Sequence, residues 1–564
     1  MEHIAHDETS FVRPAEVGEM ELYHAKTWLG KYVFSQDAKT IAIQYAATAI
    51  AIGMVALVLS WFMRLQLAWP NTFTFIDPAY YLQAVTMHGM IMVVYLLTAL
   101  FLGGFGNYLI PLMVGARDMV FPWLNMISFW VYFTAVLLLA ASFFVGGGST
   151  GAGWTLYPPQ AILPGTPGSE AGILLMLASL AVFIIGFTMG GLNYVVTILQ
   201  ARTRGMTLMR MPLTIWGIFV ATILALFAFP ALFVSAIMMS LDVLLGTSFF
   251  MPAIMTMGSE AEHVGGNPLL FQHLFWFYSH PAVYIMILPG MGVVSELIPC
   301  FSRRPLFGYK AVALSSMAIA VFGFLVWGHH MFVSGQSAYA GIVFSFLSYC
   351  VAIPSAIKVF NWSLTLRKGH IRFPAPMLYA LGFLGLFTFG GLAGLFVAAI
   401  AVDVHLHDTY FVVAHFHYIM VGGMVSAFMG GLHFWWPKMT GRMYPELWGQ
   451  IAAAMTFTGF NLTFFPQYIL GYLGMPRRYH AYPPEFAFWN VLSSAGAVIL
   501  AAGYLLPLGY LTWSLFRGER AGANPWAASG LEWKTPSPPP PHNFEETPEA
   551  TGPVYDYPPP EGER

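Results

Sequence analysis

Twelve stretches of this chain stay apolar for about twenty residues or more, near 40–66, 78–113, 121–145, 170–198, 213–245, 268–300, 308–332, 337–363, 374–402, 408–436, 447–473 and 487–516. Wound as an α-helix, twenty residues reach about 30 Å, the thickness of a bilayer's hydrocarbon layer. Lipid offers no hydrogen bonds, so each such run has to satisfy its backbone internally, as a helix does. The expected fold class is therefore an all-α polytopic membrane protein, a bundle of about twelve transmembrane helices over residues 40–516. With 57% hydrophobic and only 9% charged residues, the chain has far less charge than the roughly 25% of a soluble domain.

Residues 1–39 are polar, carry Arg13, Lys26, Lys31 and Lys39, and lack the pattern of a cleavable signal peptide. An even number of spans leaves both termini on one side. If that side is cytoplasmic, the inner loops hold twelve lysines and arginines and the outer segments only Arg64, Arg477 and Arg478, the bias of the positive-inside rule. Segment 1–39 is thus read as a cytoplasmic N-terminal segment. Residues 517–564, with SPPPP and YDYPPP, are read as an extended proline-rich cytoplasmic tail outside any core. A net charge of −2 says nothing about nucleic acid by itself, and no concentrated basic run suggests it as a partner. The only cysteines, Cys300 and Cys350, are too few for a disulfide framework or a cysteine-ligated cluster, so thiolate-bound copper would have to come from another chain.

Six histidines lie inside or at the ends of these apolar runs: His88, His280, the pair His329 and His330, and His415 with His417. Imidazole in a membrane interior calls for a partner, and it is a common ligand of iron and copper. Counted from the outer ends of their spans, all six fall in the outer half of the bilayer. Two positions along a helix turn a side chain by about 200°, so His415 and His417 point to opposite sides of span 10 and one helix serves two centres. His88, at matching depth, can pair with His417 on a six-coordinate iron suited to electron transfer. On the other side His415 would hold a second iron with an open position, facing a copper held by His280, His329 and His330. Tyr284, four residues after His280, shares its helix face. A single buried histidine has a plain reading as a hydrogen-bonded packing residue; six at related depth with these spacings point instead to a redox enzyme within a membrane. His273 and His405 lack that support and read as polar residues near the outer surface.

The strings FGNYLIPLMVGARDMVFP, GAGWTLYPP, WFYSHPAVY, VWGHHMFVSG, AIPSAIKVFNW, HDTYFVVAHFHY, NLTFFPQYILGYLGMPRRY and LEWKTPSPPPPHNF resemble, in order and over nearly the whole chain, subunit I of the heme–copper oxygen reductases, in its cytochrome c oxidase branch. The resemblance implies the catalytic subunit of a terminal respiratory oxidase that reduces O2 to water with electrons from cytochrome c and translocates protons. It implies two hemes, with His88 and His417 on the low-spin iron and His415 on the high-spin iron, and one copper on His280, His329 and His330. Tyr284 matches the tyrosine that the family cross-links to a copper ligand and uses as an electron and proton donor. Arg477 and Arg478 match the partners of heme propionates. Arg64 matches the residue that bonds the formyl group of the low-spin heme, which favours heme A over heme B. His407 and Asp408 match a non-redox magnesium or manganese site. Implied partners are a subunit II with a binuclear copper site, a subunit III and small subunits, and the implied location is a bacterial cytoplasmic (inner) membrane.

Reduction of O2 consumes four protons, so a dry bundle needs polar routes. Lys358 is the one lysine or arginine well inside a span, where an isolated charge costs roughly 3 kcal/mol on insertion scales. With Ser355 a turn away, it resembles the family's lysine channel toward Tyr284. Asp118, with Asn107, Asn125, Asn193 and Tyr45, matches the family's aspartate channel. Many members have a glutamate two residues after the first copper ligand; here that residue is Ala282, and Tyr278 and Ser279 precede His280 instead. Gly186 and Phe187 replace two serines that many members carry in span 4. Transfer at the end of this route is expected to rely on hydroxyls and water.

Three rivals remain. A quinol oxidase of the same superfamily would carry an arginine and an aspartate where Val55 and Leu59 stand, and a histidine in place of Tyr80, although Gln83 is retained. A nitric oxide reductase would lack Tyr284. A metal-free twelve-helix transporter would mark its site with broken helices or midplane charges rather than with ligand-type histidines.

Overall fold

In the computed structural model the described residues are 25–252 and 265–557. Most of the segment read as 1–39 and the last prolines of YDYPPP lie outside them. Twelve long helices follow one another: α1 Ala38–Ala68, α2 Pro78–Val114, α3 Pro122–Phe144, α4 Ala171–Gln200, α5 Leu213–Leu245, α6 Pro268–Ser302, α7 Tyr309–Met331, α8 Ala338–Leu366, α9 Ala375–Ala398, α10 Tyr410–Thr440, α11 Glu446–Tyr472 and α12 Pro484–Arg517. No strand is formed among the described residues. Eleven of the helices are long and apolar enough to cross a membrane. The other is α11, whose 27 residues rise about 40 Å but include Thr456, Thr458, Asn461, Thr463 and Gln467. It is nonetheless packed into the bundle: a methyl group on Gly459 would strike the α12 backbone at Leu500, and one on Gly496 of α12 would strike α11 at Leu462 and Thr463. Small residues at such crossings let two helix backbones touch.

Local chemistry sets several helix starts. The Asp77 side chain accepts from Tyr80 N with Pro78 at the first turn, the Asn267 side chain accepts from Leu269 N ahead of Pro268, and Thr409 caps α10 by accepting from Phe411 N. α6 is the most buried of the spans and α8 the most exposed, with Phe346 and Phe360 on its outer side. In α2 and α10 the winding widens to π-helix, at Ile91–Leu97 just after His88 and at Tyr418–Val425 directly after His417. Such widening is rare in helices and frequent at functional sites.

The C-terminal tail departs from the expected extended segment. From Arg520 to Tyr557 it lies across one end of the bundle, with Leu531, Trp533, Phe544, Tyr555 and Tyr557 buried in the main core. Its many prolines donate no backbone hydrogen bond, and the aromatic residues between them supply the apolar area that a docked segment needs. The carbonyls of Ala523, Thr535 and Pro536 are gathered by the Lys438 ammonium at 3.0, 2.6 and 3.3 Å. The tail touches the start of α1, the end of α2, the start of α5 and the ends of α6 and α10. These ends therefore share one face of the bundle, called the tail face below.

Candidate active site

All six histidines line one cavity of ≈ 1560 Å³. That exceeds the roughly 300–1,000 Å³ of ordinary small-molecule sites. His88 of α2, His280 of α6, His329 and His330 at the end of α7, and His415 and His417 of α10 all lie in the half of the bundle away from the tail face.

Hydrogen bonds fix how each ring can act. His88 Nδ1 is 3.0 Å from Ala56 O, His415 Nδ1 2.9 Å from Gly390 O and His417 Nδ1 2.8 Å from Val413 O. A carbonyl only accepts, so these Nδ1 atoms carry the proton and each Nε2 keeps its lone pair, the arrangement that fixes a metal-binding tautomer. His415 is anchored to α9, while His417 stacks on Phe464 of α11 with ring centroids 4.2 Å apart. The opposed directions expected from their two-residue spacing are realised.

His280, His329 and His330 form a tight cluster whose ligand atoms all lie within 4.8 Å of one another, the one such histidine, cysteine or carboxylate triad among the described residues. His330 Nε2 is 3.0 Å from His280 Nδ1 and 3.1 Å from His329 Nε2. Ser348 donates its hydroxyl to Phe344 O and accepts from His329 Nδ1 at 2.8 Å, which leaves His329 Nε2 as the free donor atom. The buried His280 Nε2 has no hydrogen-bond partner among the described residues. Three lone-pair nitrogens in such proximity, one ring with an orphaned atom, suit a metal ion better than they suit one another. Residues 327–331 wind as a 3₁₀ turn rather than the α-helix expected for the histidine pair. Trp276, not singled out in the sequence, stacks on His330 with centroids 3.8 Å apart and donates its indole N–H to Tyr157.

Tyr284 lies against His280, ring centroids 4.8 Å apart at 66°. Gly323 of α7 makes the space, since a Cβ there would sit 2.8 Å from the Tyr284 ring. Lys358, buried in α8, donates to Ser316 Oγ at 2.7 Å and to Val312 O at 3.1 Å. Ser355, a turn away from Lys358, bonds Val351 O and lines the cavity.

At the mouth of the cavity, Arg477 and Arg478 line the wall with Arg64. Arg64 donates to Ser493 Oγ at 2.6 Å. Burial and the adjacent Arg478 push the Arg477 guanidinium down to about 10. Among the described residues, the nearest carboxylate, Asp408, is 4.0 Å from Arg477, and the buried Arg478 Nε has no partner. Two cations so poorly neutralised fit the acidic groups of a bound cofactor. His407 lies 3.8 Å from Asp408 and 3.3 Å from Asp403. Asp403 is buried in the cavity wall, and that burial raises its carboxyl above the usual range. Its four-residue spacing from His407 is a signal that the sequence carries. His273 accepts from the Trp327 indole, and His405 is exposed. His433 is satisfied by Met429 O and Tyr510 and stays apart from the cavity.

A second polar string starts near the tail face. Asp118 accepts from Met119 N at 2.7 Å and Ala38 N at 3.4 Å. Asn193 brackets Phe121 through N and O, Asn125 donates to Asn107 at 2.6 Å, and Asn107 donates to Tyr194. Tyr45 and Ser128 are 3.0 Å apart. Farther along, Tyr95 meets Ser179, and Ser179 bonds Ala135 O. Tyr278 and Ser279 are buried in α6, the Ser279 hydroxyl without a partner among the described residues. Tyr95, Ser128, Ser179 and Tyr194 were not foreseen, because each is recognisable only by its partner on another helix.

Residues 40–499 match the family described as Cytochrome C and Quinol oxidase polypeptide I. The chain belongs to that family. This oxidase subunit is 58% identical over 548 residues to the alternative cytochrome c oxidase subunit 1 of Bradyrhizobium diazoefficiens, an overlap of 96% of this chain and 93% of the relative. It is 45% identical to cytochrome c oxidase subunit 1 of Synechocystis sp., over 94% and 93% of the two chains. A solved heme-copper terminal oxidase dimer shares its fold, with a TM-score of 0.72 at 20% identity over 86% of this chain and 85% of the other. The chain is thus a multi-pass membrane oxidoreductase, the catalytic subunit type of a terminal oxidase. Its family implies hemes and copper and normally works with other subunits, and the His280, His329 and His330 cluster fits the copper.

Proposed function

We propose that this subunit reduces O2 to water with electrons from cytochrome c and couples that reaction to proton translocation. The observation that carries the reading is the shared cavity, on which six imidazoles converge, four of them with proton and lone pair already sorted by their hydrogen bonds. His88 and His417 would hold a low-spin heme, His415 a high-spin heme, and His280, His329 and His330 a copper. When bound, these groups supply electron transfer and the four-electron reduction of O2. The chain itself orients them, excludes water and delivers protons. Tyr284, beside His280, is the hydroxyl donor at the site. Arg477 and Arg478 would neutralise propionates, and Arg64 would reach a formyl group, which favours heme A. His407 and Asp408 would hold Mg or Mn, with water completing the shell.

Two routes supply protons in this reading. Lys358 and Ser316, with Ser355 on the cavity wall, lead toward Tyr284. Asp118, Asn107, Asn125, Asn193 and Tyr45 lead upward toward Tyr278 and Ser279, with Tyr95 and Ser179 bridging the middle. The tail face is the cytoplasmic side of a bacterial inner membrane, in keeping with the basic loops there. Subunit II with a binuclear copper, subunit III and small subunits would complete the enzyme.

Val55 and Leu59 on α1 support cytochrome c over quinol as donor, because neither side chain can hydrogen-bond a quinol. The test is turnover of the purified enzyme with reduced cytochrome c against quinol. Rapid oxidation of cytochrome c is the expected result, and a strong preference for quinol would reverse the assignment. A reduced-minus-oxidised spectrum without heme bands would remove the oxidase reading in favour of a transporter.

A further inference from the structure

Among the described residues, the loop between α2 and α3 holds Asp118 on two pieces of backbone only: its own neighbour Met119 and Ala38, the first residue of α1. Whether that carboxylate stays in place therefore depends on what fixes the loop against α1. The far side of the loop is pinned from α4, where Thr197 accepts from Val120 N and Asn193 brackets Phe121. The near side is pinned from the tail. Asn543, 427 residues from Ala116 in sequence, donates Nδ2–H to Ala116 O at 3.1 Å and accepts from Lys39 Nζ at 2.9 Å. One side chain thus ties α1 to the Asp118 loop.

The surrounding details suit a built clamp. Asn543 is buried and adopts a left-handed backbone, φ 63°, which asparagine tolerates better than most residues. Lys39 is held in turn by Pro541 O at 2.7 Å and by Asp37 at 2.9 Å. Asp37 also caps α1 by accepting from Thr40 N at 2.9 Å, so the lysine, the helix start and the tail move as one unit.

We propose that Asn543 is a positioning residue for Asp118, so that the docked C-terminal tail is part of the proton intake rather than a cover over it. The proposal rests on the reading of Asp118 as a proton inlet. Without the Asn543 bridge the loop keeps only the long 3.4 Å contact of Asp118 with Ala38 N among its described hydrogen bonds to the α1 start, and the carboxylate is held less firmly relative to Asn193, Asn125 and Asn107. The Lys358 route, on α7 and α8, does not use this clamp.

The test uses the whole enzyme with its partner subunits, in detergent and in vesicles. Asn543→Gly removes both side-chain hydrogen bonds without adding left-handed strain; Asn543→Asp keeps the acceptor for Lys39 and loses the donor to Ala116. Tyr555→Phe, which deletes the tail's bond to Glu296 at 2.6 Å, controls for tail docking elsewhere. The expected result is a drop of about threefold to tenfold in oxygen turnover and in proton release for Asn543→Gly, the scale of one or two lost hydrogen bonds. Asn543→Asp should be intermediate, anaerobic reduction of the metal centre unchanged, and Tyr555→Phe like the parent. Parent-like behaviour of Asn543→Gly alongside an impaired Asp118→Asn would overturn the inference and leave the inlet reading intact. A parent-like Asp118→Asn would overturn both. Equal loss in anaerobic reduction, or in Tyr555→Phe, would reduce Asn543 to a general structural role and overturn the inference as well.

Discussion

His280 and Tyr284 stand one turn apart on α6, their rings 4.8 Å apart and inclined at 66°, with Gly323 of α7 opening the space the phenol fills. A hydroxyl so close to the histidine triad can deliver a proton without a moving loop. Tyr284→Phe keeps the ring and removes only that hydroxyl. Oxygen consumption should fall by at least roughly 10²-fold, the lower end for a positioned proton donor, while absorption spectra still report both hemes. Parent-like turnover in an oxygen electrode would remove Tyr284 from the chemistry.

Among the described residues, Lys358 has one side-chain partner, Ser316, at 2.7 Å. Lys358→Met keeps the length and apolar stem but ends the relay. Anaerobic reduction of the metal centre, followed by stopped-flow absorbance, should slow at least about tenfold, as loss of a hydrogen bond to a charged group allows. Thermal stability should hold or rise, because a buried charge costs more in the membrane than a thioether does. Unchanged reduction kinetics would show that protons take another path.

The pinned rings of His88 and His417 lead to a spectral expectation. His417→Leu removes one ring that stacks on Phe464 and leaves the His415 side, anchored to Gly390 O, undisturbed. The low-spin heme signal should disappear selectively, and electron delivery with it. Equal loss of the high-spin signal would contradict the division of α10 into two separate faces.

What the sequence disclosed and what it hid follow a physical line. Hydrophobic runs mark helices because each run satisfies its own backbone, so all twelve helices could be read from residue order alone, α11 included despite its threonines. The six histidines were legible for a similar reason: angle and rise along a helix follow from spacing. Pairings between helices were not. Ser316 meets Lys358, Ser179 meets Tyr95, and Trp276 covers His330, all through tertiary contacts that no local pattern encodes. Proline content alone points to an extended tail, whereas Trp533, Phe544 and Tyr555 dock it into the core. Asp403 was missed although its spacing from His407 was in plain view.

Asp118 should impose a pH dependence on stability. Burial, and then the nearby Asp37, push its carboxyl from the ordinary 3.8 up to about 7. Between about pH 4 and pH 7 the folded protein therefore keeps a proton that the unfolded chain releases. This contribution is fully present below about pH 4 and is lost as pH rises through about 7. Thermal unfolding midpoints measured from pH 5 to pH 8 should fall more for the parent than for Asp118→Asn, which has nothing to titrate there. Parallel pH profiles would show that the buried carboxyl stays ionised.

The central claim, that one cavity gathers two irons and one copper on six histidines, is tested most directly by elemental analysis of the intact purified enzyme beside a His329→Asn variant. Two irons per copy of this chain in both proteins, with one copper fewer in the variant, is the expected result. Fewer than two irons in the parent, or equal copper in the two, would contradict it.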